Sequence, residues 1–171
     1  MKILLPIDGS LAALAAVHHA LRLREQGLVC EMVLVNVQEP ASLYEVMVAH
    51  DSQVLTDVRS SAGADLLAPA EALLDAAGVA WESEVAGGQP AALLLELLEN
   101  YGCDVVVMGA RGMGQPDAAG LGSVAQSLAI HCAVPLTLVR VGEITPIAPF
   151  IPVAGEFTSG RELSRDGMNE R

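Results

Sequence analysis

Aromatic side chains are scarce in this sequence. Phe, Trp and Tyr make up 3% of its 171 residues, although hydrophobic residues make up 52%. A core of this composition has to be aliphatic, built from Leu, Val, Ala, Ile and Met. The length is sufficient for one domain with a sizeable core.

Positive charge is also scarce. Nine Lys and Arg stand against 21 Asp and Glu, the formal net charge is −12, and Lys2 is the only lysine. This balance argues against binding the backbone of a nucleic acid or an anionic membrane surface. It does not exclude a nucleotide, because local N–H groups and one Arg can outweigh a distant net charge. The phosphate-binding P-loop is excluded, since that motif needs a lysine after its glycines.

Cysteines and long apolar runs are few. Cys30, Cys103 and Cys132 are scattered without a CxxC spacing, which indicates neither a disulfide framework nor a zinc site. We expect each to be a small buried hydrophobic residue, and we expect no metal site. No secretory signal and no apolar segment of membrane length is recognised, so we expect a cytoplasmic protein without a membrane partner.

Strand and helix patterns alternate along the chain. Short apolar runs predict strands at 2–7, 29–37, 79–85, 105–108 and 134–141, and helical periodicity predicts helices at 11–26, 64–77, 91–100 and 123–131. The third strand alternates between apolar and polar residues, which indicates an edge strand with one wet face. Pro69 should kink the second helix or mark its first turn. Residues 41–62 fit a short helix, a lid over a ligand, or plain packing.

The stretch Asp104 to Val124, DVVVMGARGMGQPDAAGLGSV, predicts a buried strand, a glycine-rich loop and a helix that Ser123 caps. The first N–H groups of a helix have no internal partner and attract anions, and glycines let a ligand approach the backbone. The dinucleotide fingerprint fits poorly, because no strand directly precedes Gly120. A flexible surface loop is the alternative, but the strand before and the helix after favour a phosphate site.

The spacing G-x2-G-x9-G-[ST] from Gly109 to Ser123 resembles the adenine-nucleotide signature of the universal stress protein family. The opening ILLPIDGS at 3–10 and the segment AVPL at 133–136 are also similar to that family. The resemblance covers about residues 1–141 and implies one α/β domain: an open, doubly wound, five-stranded parallel sheet of order 3-2-1-4-5 with helices on both faces. Residues 142–171 are interpreted as a C-terminal extension, a proline-rich arm followed by a disordered tail.

This order implies a binding site where strand order reverses, between the first and fourth strands. Asp8 would accept a hydrogen bond from a ribose hydroxyl, or else serve only as a turn residue. Val35 would lie against adenine, or else belong to the core. Arg111 would pair with phosphate oxygens. The candidate binding residues are Pro6, Ile7, Asp8, Val35, Met108, Gly109, Arg111, Gly112, Gly122, Ser123 and Val124.

The resemblance implies an ATP-binding regulatory or sensor protein of the stress response. AMP and cyclic AMP remain alternatives, because Asp117 adds negative charge to a loop that departs from the family pattern. Mg would be held mainly by the phosphates. No nucleophile elbow or acidic metal cluster is visible, so we expect no catalytic residues and little or no hydrolysis. A nucleotide-free adaptor and a slow ATPase are the alternatives. The resemblance also implies a homodimer through strand five (134–141), and the protein partner is unknown.

Overall fold

The chain forms a five-stranded parallel sheet of order β3-β2-β1-β4-β5. The structure, a computed structural model, describes residues 1–40, 52–114 and 120–141, with backbone only for 52–58. The strands are β1 (Lys2–Pro6), β2 (Glu31–Gln38), β3 (Trp81–Gly87), β4 (Val105–Gly109) and β5 (Leu136–Val139); the described helices are α1 (Leu11–Glu25), α2 (Ser52–Ala76), α3 (Pro90–Asn100) and α4 (Ser123–His131). The predicted strand order is confirmed.

Helices cover both faces of the sheet, as predicted. On one face, Ile3 and Leu5 of β1 pack with Val17 of α1 and Leu74 of α2. On the other face, β1 contributes Leu4 to a cluster formed with α3 and α4. Successive residues of a strand point to opposite faces, so a continuous apolar run such as Ile3–Leu5 is buried on both sides. The core is aliphatic, as the composition indicates.

Strand β1 is hydrogen-bonded to β2 over more residues than to β4. Its pairing with β2 continues to Pro6, which faces Val35. Its pairing with β4 ends at Leu4, which faces Val106. The paired segment with β4 is shorter because Pro6 has no N–H to donate, and both strands end at the edge of the sheet where the strand order reverses.

Helix α1 has the ends that its sequence predicts. The Ser10 hydroxyl accepts a hydrogen bond from the N–H of Ala13 at 3.1 Å, which caps the first turn. Gly27 follows the last turn with a φ of 105°, a conformation that favours glycine. The guanidinium of Arg24 donates to the carbonyls of Ala77 and Gly78, at 3.0 and 3.1 Å. Helix α1 thereby satisfies carbonyls that follow the end of α2.

Several predicted boundaries are wrong. Strands β3 and β5 begin at Trp81 and Leu136, each two residues after the predicted start. Helix α2 begins at Ser52, well before the predicted residue 64, and Pro69 lies inside it. Proline removes one helical hydrogen bond, but the neighbouring turns bury Leu67 and Ala70 and so keep the helix on the sheet. Strand β2 begins at Glu31, because Val29 is 87% exposed and lies outside the sheet. Residues 41–51 and the extension 142–171 lie outside the described residues.

The predictions for the third strand and for the cysteines are confirmed in part. Strand β3 is an edge strand of the sheet, and the indole of Trp81 donates to the Asp75 carboxylate at 2.8 Å. Of the cysteines, Cys103 alone is fully buried, and Cys30 and Cys132 are half-buried. Burial raises the pKa of the Cys103 thiol.

Tyr101 gives the fold a measurable dependence on alkaline pH. Its hydroxyl donates to the Glu84 carboxylate at 2.7 Å and joins α3 to β3. This hydrogen bond, then burial, raises the pKa of Tyr101 from 10.0 to about 12. Only the protonated phenol donates, so the contribution is complete below pH 10 and is lost as the pH rises toward 12. Absorbance titration of the tyrosinate, compared with Tyr101→Phe, should show a late transition. A Tyr101 titration centred near 10 would contradict the prediction.

Candidate functional site

A cleft of about 640 Å³ opens at the carboxyl ends of the central strands. Its size is within the usual range for small-molecule sites. Every residue that the sequence analysis selected lines this cleft: Pro6, Ile7, Asp8, Val35, Met108, Gly109, Arg111, Gly112, Gly122, Ser123 and Val124. The structure therefore brings the two predicted halves of the site together at the carboxyl ends of β1 and β4.

Asp8 connects the turn after β1 to the glycine loop. One carboxylate oxygen accepts from the N–H of Ser10 at 2.9 Å, and the other accepts from the N–H of Met113 at 3.1 Å. A Cβ atom at position 112 would lie 2.3 Å from the second oxygen, so Gly112 is what allows the loop to pass this close. Asp8 therefore stabilises its own turn, and its carboxylate also binds the glycine loop on the other side of the cleft.

The position of this turn depends on Asn36, which the sequence analysis missed. Asn36 is 2% exposed, and its amide nitrogen donates to the carbonyl of Ile7 at 2.7 Å. Its amide oxygen accepts from the Gln38 side chain at 2.6 Å. A buried amide whose nitrogen and oxygen both have partners holds those partners in place. The signal in the sequence was a polar residue inside the apolar run of β2.

One wall of the cleft is apolar. Val35 and Val37 of β2 face it from the sheet, Met108 from the end of β4, and Pro90 and Leu94 from α3. The sequence analysis selected Val35 and Met108 but missed the other three. The alternation along β2 indicates that Val37 shares a face with Val35. This wall suits the flat face of a ring better than a charged group.

Gly109 has a packing reason to be glycine. A Cβ atom there would lie 2.8 Å from both the backbone carbon and the Cβ of Ala12, and 3.0 Å from the nitrogen of Ala13. Helix α1 therefore approaches the end of β4 more closely than any side chain allows. The glycine places the N-terminal turns of α1 next to the cleft.

The opposite wall is formed by the glycine loop and the start of α4. The Nε of Arg111 donates to the carbonyl of Gly120 at 2.8 Å, and the N–H of Gly122 donates to the carbonyl of Ala110 at 2.9 Å. These bonds bring both ends of the loop together. Residues 115–119, including Asp117, lie outside the described residues.

The predicted cap of α4 is wrong by one residue. Gly122 is the N-cap, and Ser123 is the first helical residue. The first helical hydrogen bond runs from Gln126 to the Gly122 carbonyl at 2.8 Å. The N–H groups of Ser123 and Val124 precede that bond at the helix end, where the dipole favours negative charge. A glycine cap, with no side chain of its own, leaves this end open to an anion.

The charges of the cleft are unevenly placed. Arg111 and the carboxylate of Asp8 lie on the loop side with the helix N-terminus, whereas Glu39 follows the end of β2 beyond the apolar wall. The cleft can therefore accept a ligand with an apolar ring at one end and an anion at the other. Within 1–40, 52–114 and 120–141, no cluster of three or more His, Cys, Asp or Glu is arranged to hold a metal ion. None of the helices in these ranges combines the length and hydropathy needed to cross a membrane.

The chain is similar to known proteins over the described sheet. The model of the universal stress protein family matches residues 1–140. A universal stress protein of Methanocaldococcus jannaschii is 24% identical over 139 residues, 81% of each chain.

Two solved structures share the fold and contain adenine nucleotides. A universal stress protein in complex with cyclic AMP is 21% identical, with a TM-score of 0.61 over 83% of this chain and 97% of that one. A universal stress protein family member from Arabidopsis thaliana, with AMP bound, is 18% identical, with a TM-score of 0.60 over 84% of this chain and 93% of that one. At these identities the match concerns the fold.

Proposed function

Because the chain belongs to the universal stress protein family, we propose that it binds an adenine nucleotide in the cleft and acts as a regulatory or sensor protein. The observation that carries this proposal is the glycine-capped N-terminus of α4, which faces the same cleft as the apolar wall of β2 and α3. The AMP and cyclic AMP complexes of structural relatives support an adenine nucleotide as the ligand.

The phosphates would lie at the loop side of the cleft. The N–H groups of Ser123 and Val124 and the side chain of Arg111 would bind them, and the glycines at 112 and 122 would let them approach the backbone. The adenine would lie between the valines of β2 and Leu94 of α3. The ribose would lie beside Asp8. A divalent ion, if one accompanies ATP, would be held mainly by the phosphates.

The proposal is tested by what the purified protein carries. After denaturation and chromatography, we expect an adenine nucleotide in near-stoichiometric amount. Protein stripped of it should gain about 2.7 kcal/mol of stability when ATP or AMP is added at a hundred times its Kd. A protein that releases nothing, and whose Tm stays unchanged with ATP, AMP and cyclic AMP, would contradict the proposal.

A nucleotide-free adaptor is the second candidate. It is favoured by one observation: two charged groups of the cleft already have protein partners, Asp8 at Ser10 and Met113, and Arg111 at Gly120. The same experiment separates the two candidates.

A slow ATPase would be recognised by phosphate release from bound ATP, which we expect to be absent or far slower than nucleotide dissociation.

We further propose a homodimer through the edge strand β5. Pro135 and Val139 turn their carbonyls toward β4, so the intervening backbone groups of Leu136 and Leu138 face away from the sheet. Ile130 of α4, 72% exposed, adds apolar surface on the element before β5. An unpaired edge of this kind is suited to pairing with a second copy.

Sedimentation equilibrium of Leu138→Pro and Leu138→Ala tests the dimer. Both substitutions remove the same leucine packing, but only proline removes the outward N–H. We expect the alanine variant to remain dimeric. The dissociation constant of the proline variant should rise about tenfold or more, because about one hydrogen bond is lost in each subunit. A monomeric parent protein, or equal dissociation of both variants, would contradict the proposal.

A further inference from the structure

We propose that Asn36 is a positioning residue that sets the preference of the cleft for a ribose with free hydroxyl groups. It acts through the turn that carries Asp8 and does not touch the ligand itself. The inference rests on the proposed function, because the ribose is part of the proposed nucleotide.

Asn36 lies on the face of the sheet opposite the apolar wall of the cleft. Side chains alternate along a strand, so Asn36 points away from the side on which Val35 and Val37 line the cleft. On its own side it meets α2 at Gly63, where a Cβ atom would lie 2.9 Å from the amide oxygen of Asn36. An effect of Asn36 on the ligand must therefore pass through other residues.

The amide of Asn36 has one orientation that satisfies its neighbours. Its nitrogen faces the carbonyl of Ile7 at 2.7 Å, and a carbonyl can only accept, so the atom opposite it has to be the donor. Its oxygen accepts from the side chain of Gln38 at 2.6 Å. Because Asn36 is 2% exposed, water has little access to take over either bond.

The bond to Ile7 orients the peptide unit that leads into Asp8. The carbonyl of Ile7 and the N–H of Asp8 belong to one planar unit, so the direction of the carbonyl also sets where the Cα of Asp8 lies. The N–H of Ile7 is bonded as well, to the carbonyl of Val35 at 2.8 Å. Both peptide units that flank Ile7 are therefore anchored to β2.

The carboxylate of Asp8 depends on this anchor. On the far side of the cleft it is held by the N–H of Met113, a loop residue that is 68% exposed, so this contact alone does not fix it. A hydrogen bond to a ribose hydroxyl requires the carboxylate at the correct distance and angle. If the turn shifts, that bond weakens, whereas the base and the phosphate, which are bound by other elements, are little affected.

The test compares AMP with its 2′,3′-dideoxy analogue, which has the same base and phosphate but no ribose hydroxyl groups. Calorimetric titration measures both affinities in the parent protein, in Asn36→Leu and in Leu74→Ala. Leucine has about the volume of asparagine or slightly more, and it leaves the carbonyl of Ile7 without its donor.

Leu74→Ala is the control for lost stability. Leu74 is fully buried in the cluster between the sheet, α1 and α2. Its carbonyl accepts from the N–H of Val79, shortly before β3 begins, so it lies near the amino ends of the strands. The cleft opens at the carboxyl ends. The substitution therefore destabilises the same face of the sheet without disturbing the turn of Asp8.

We expect the parent to bind AMP about tenfold more tightly than the dideoxy analogue, which is the value of about one hydrogen bond to a charged group. In Asn36→Leu this ratio should fall to about twofold, because AMP binds more weakly while the affinity for the analogue changes little. Leu74→Ala should lower the Tm by several degrees and keep the ratio near about tenfold.

NMR follows the turn directly. In ligand-free Asn36→Leu, the N–H resonances of Ser10 and Met113 should shift, because both groups donate to the Asp8 carboxylate. In Leu74→Ala they should stay near their parent positions. In the parent, the side-chain N–H of Asn36 should exchange with water more slowly in the AMP complex than in the dideoxy complex, because coupling between two positions is reciprocal.

Four results would overturn the inference: an unchanged ratio in Asn36→Leu, a parent that binds both nucleotides equally, an equal loss of the ratio in Leu74→Ala, or equal exchange of the Asn36 side chain in both complexes. If Asn36→Leu does not fold, the exchange comparison in the parent decides. A parent that binds neither nucleotide would instead contradict the proposed function. The N–H shifts of Ser10 and Met113 would still decide whether Asn36 positions the turn.

Discussion

Gly122→Val is expected to lower the affinity for ATP or AMP by about a hundredfold, or about 2.7 kcal/mol. A Cβ atom at position 122 would lie 3.3 Å from the Cα of Arg111 and 3.6 Å from the nitrogen of Gly112. The two further methyl groups of valine extend beyond this contact, where the phosphates would meet the start of α4. The substitution therefore blocks the approach of the ligand to the N–H groups of Ser123 and Val124.

Equilibrium dialysis measures this loss, and urea unfolding shows whether the fold is retained. We expect the free energy of unfolding to fall by about 1 kcal/mol, because the loop alone has to adjust. Gly87→Val is the control: its Cβ meets nothing within 4 Å, and it lies at the end of edge strand β3. If Gly122→Val binds nucleotide as well as the parent does, the phosphate site is misplaced.

Gly109→Ala is expected to lower the free energy of unfolding by about 3 kcal/mol. Its Cβ would lie 2.8 Å from the backbone carbon of Ala12 and 3.0 Å from the nitrogen of Ala13, closer than such atoms can approach. Backbone atoms cannot rotate away as the end of a long side chain can. Either α1 moves off the sheet or β4 shifts within it, and both changes disturb the buried core.

A double-mutant cycle with Ala12→Gly tests this cause. Removing the Ala12 methyl relieves one of the two 2.8 Å contacts, so we expect the pair to recover part of the lost stability, about 1 kcal/mol. Gly114→Ala, which meets nothing within 4 Å, should stay within about 0.5 kcal/mol of the parent. A Gly109→Ala protein as stable as the parent in urea would show that α1 does not pack as described.

The periodicity of the sequence predicts where most strands and helices lie, but not how the strands are arranged. Alternating strands and helices require a parallel sheet, and they leave its order open. The order 3-2-1-4-5 came from the resemblance carried by 3–10 and 109–123. Helix α2 shows the limit of local rules. Pro69 suggested a boundary, yet the burial of Leu67 and Ala70 against the sheet outweighs one missing hydrogen bond.

The same limit applies to the candidate site, where some residues could be selected from the sequence and others could not. Residues tied to a motif, such as Asp8 and Gly112, could be selected from the sequence. Leu94 of α3 could not, because its place in the cleft depends on how α3 crosses the sheet. The cap of α4 was misplaced because serine is a common cap, whereas the loop here enters the helix through the close backbone contact of Gly122 with Ala110. The binding roles of the residues that line the cleft remain predictions.

The position of Trp81, the single tryptophan of the chain, determines what its fluorescence can report. The indole lies at the amino end of β3, bonded to Asp75, whereas the cleft opens at the carboxyl ends of the strands. The length of β3, roughly 20 Å, separates the two ends. The tryptophan emission should therefore change when α2 separates from the sheet during unfolding. It should stay unchanged when a nucleotide binds in the cleft. A fluorescent nucleotide analogue is the better reporter of occupancy.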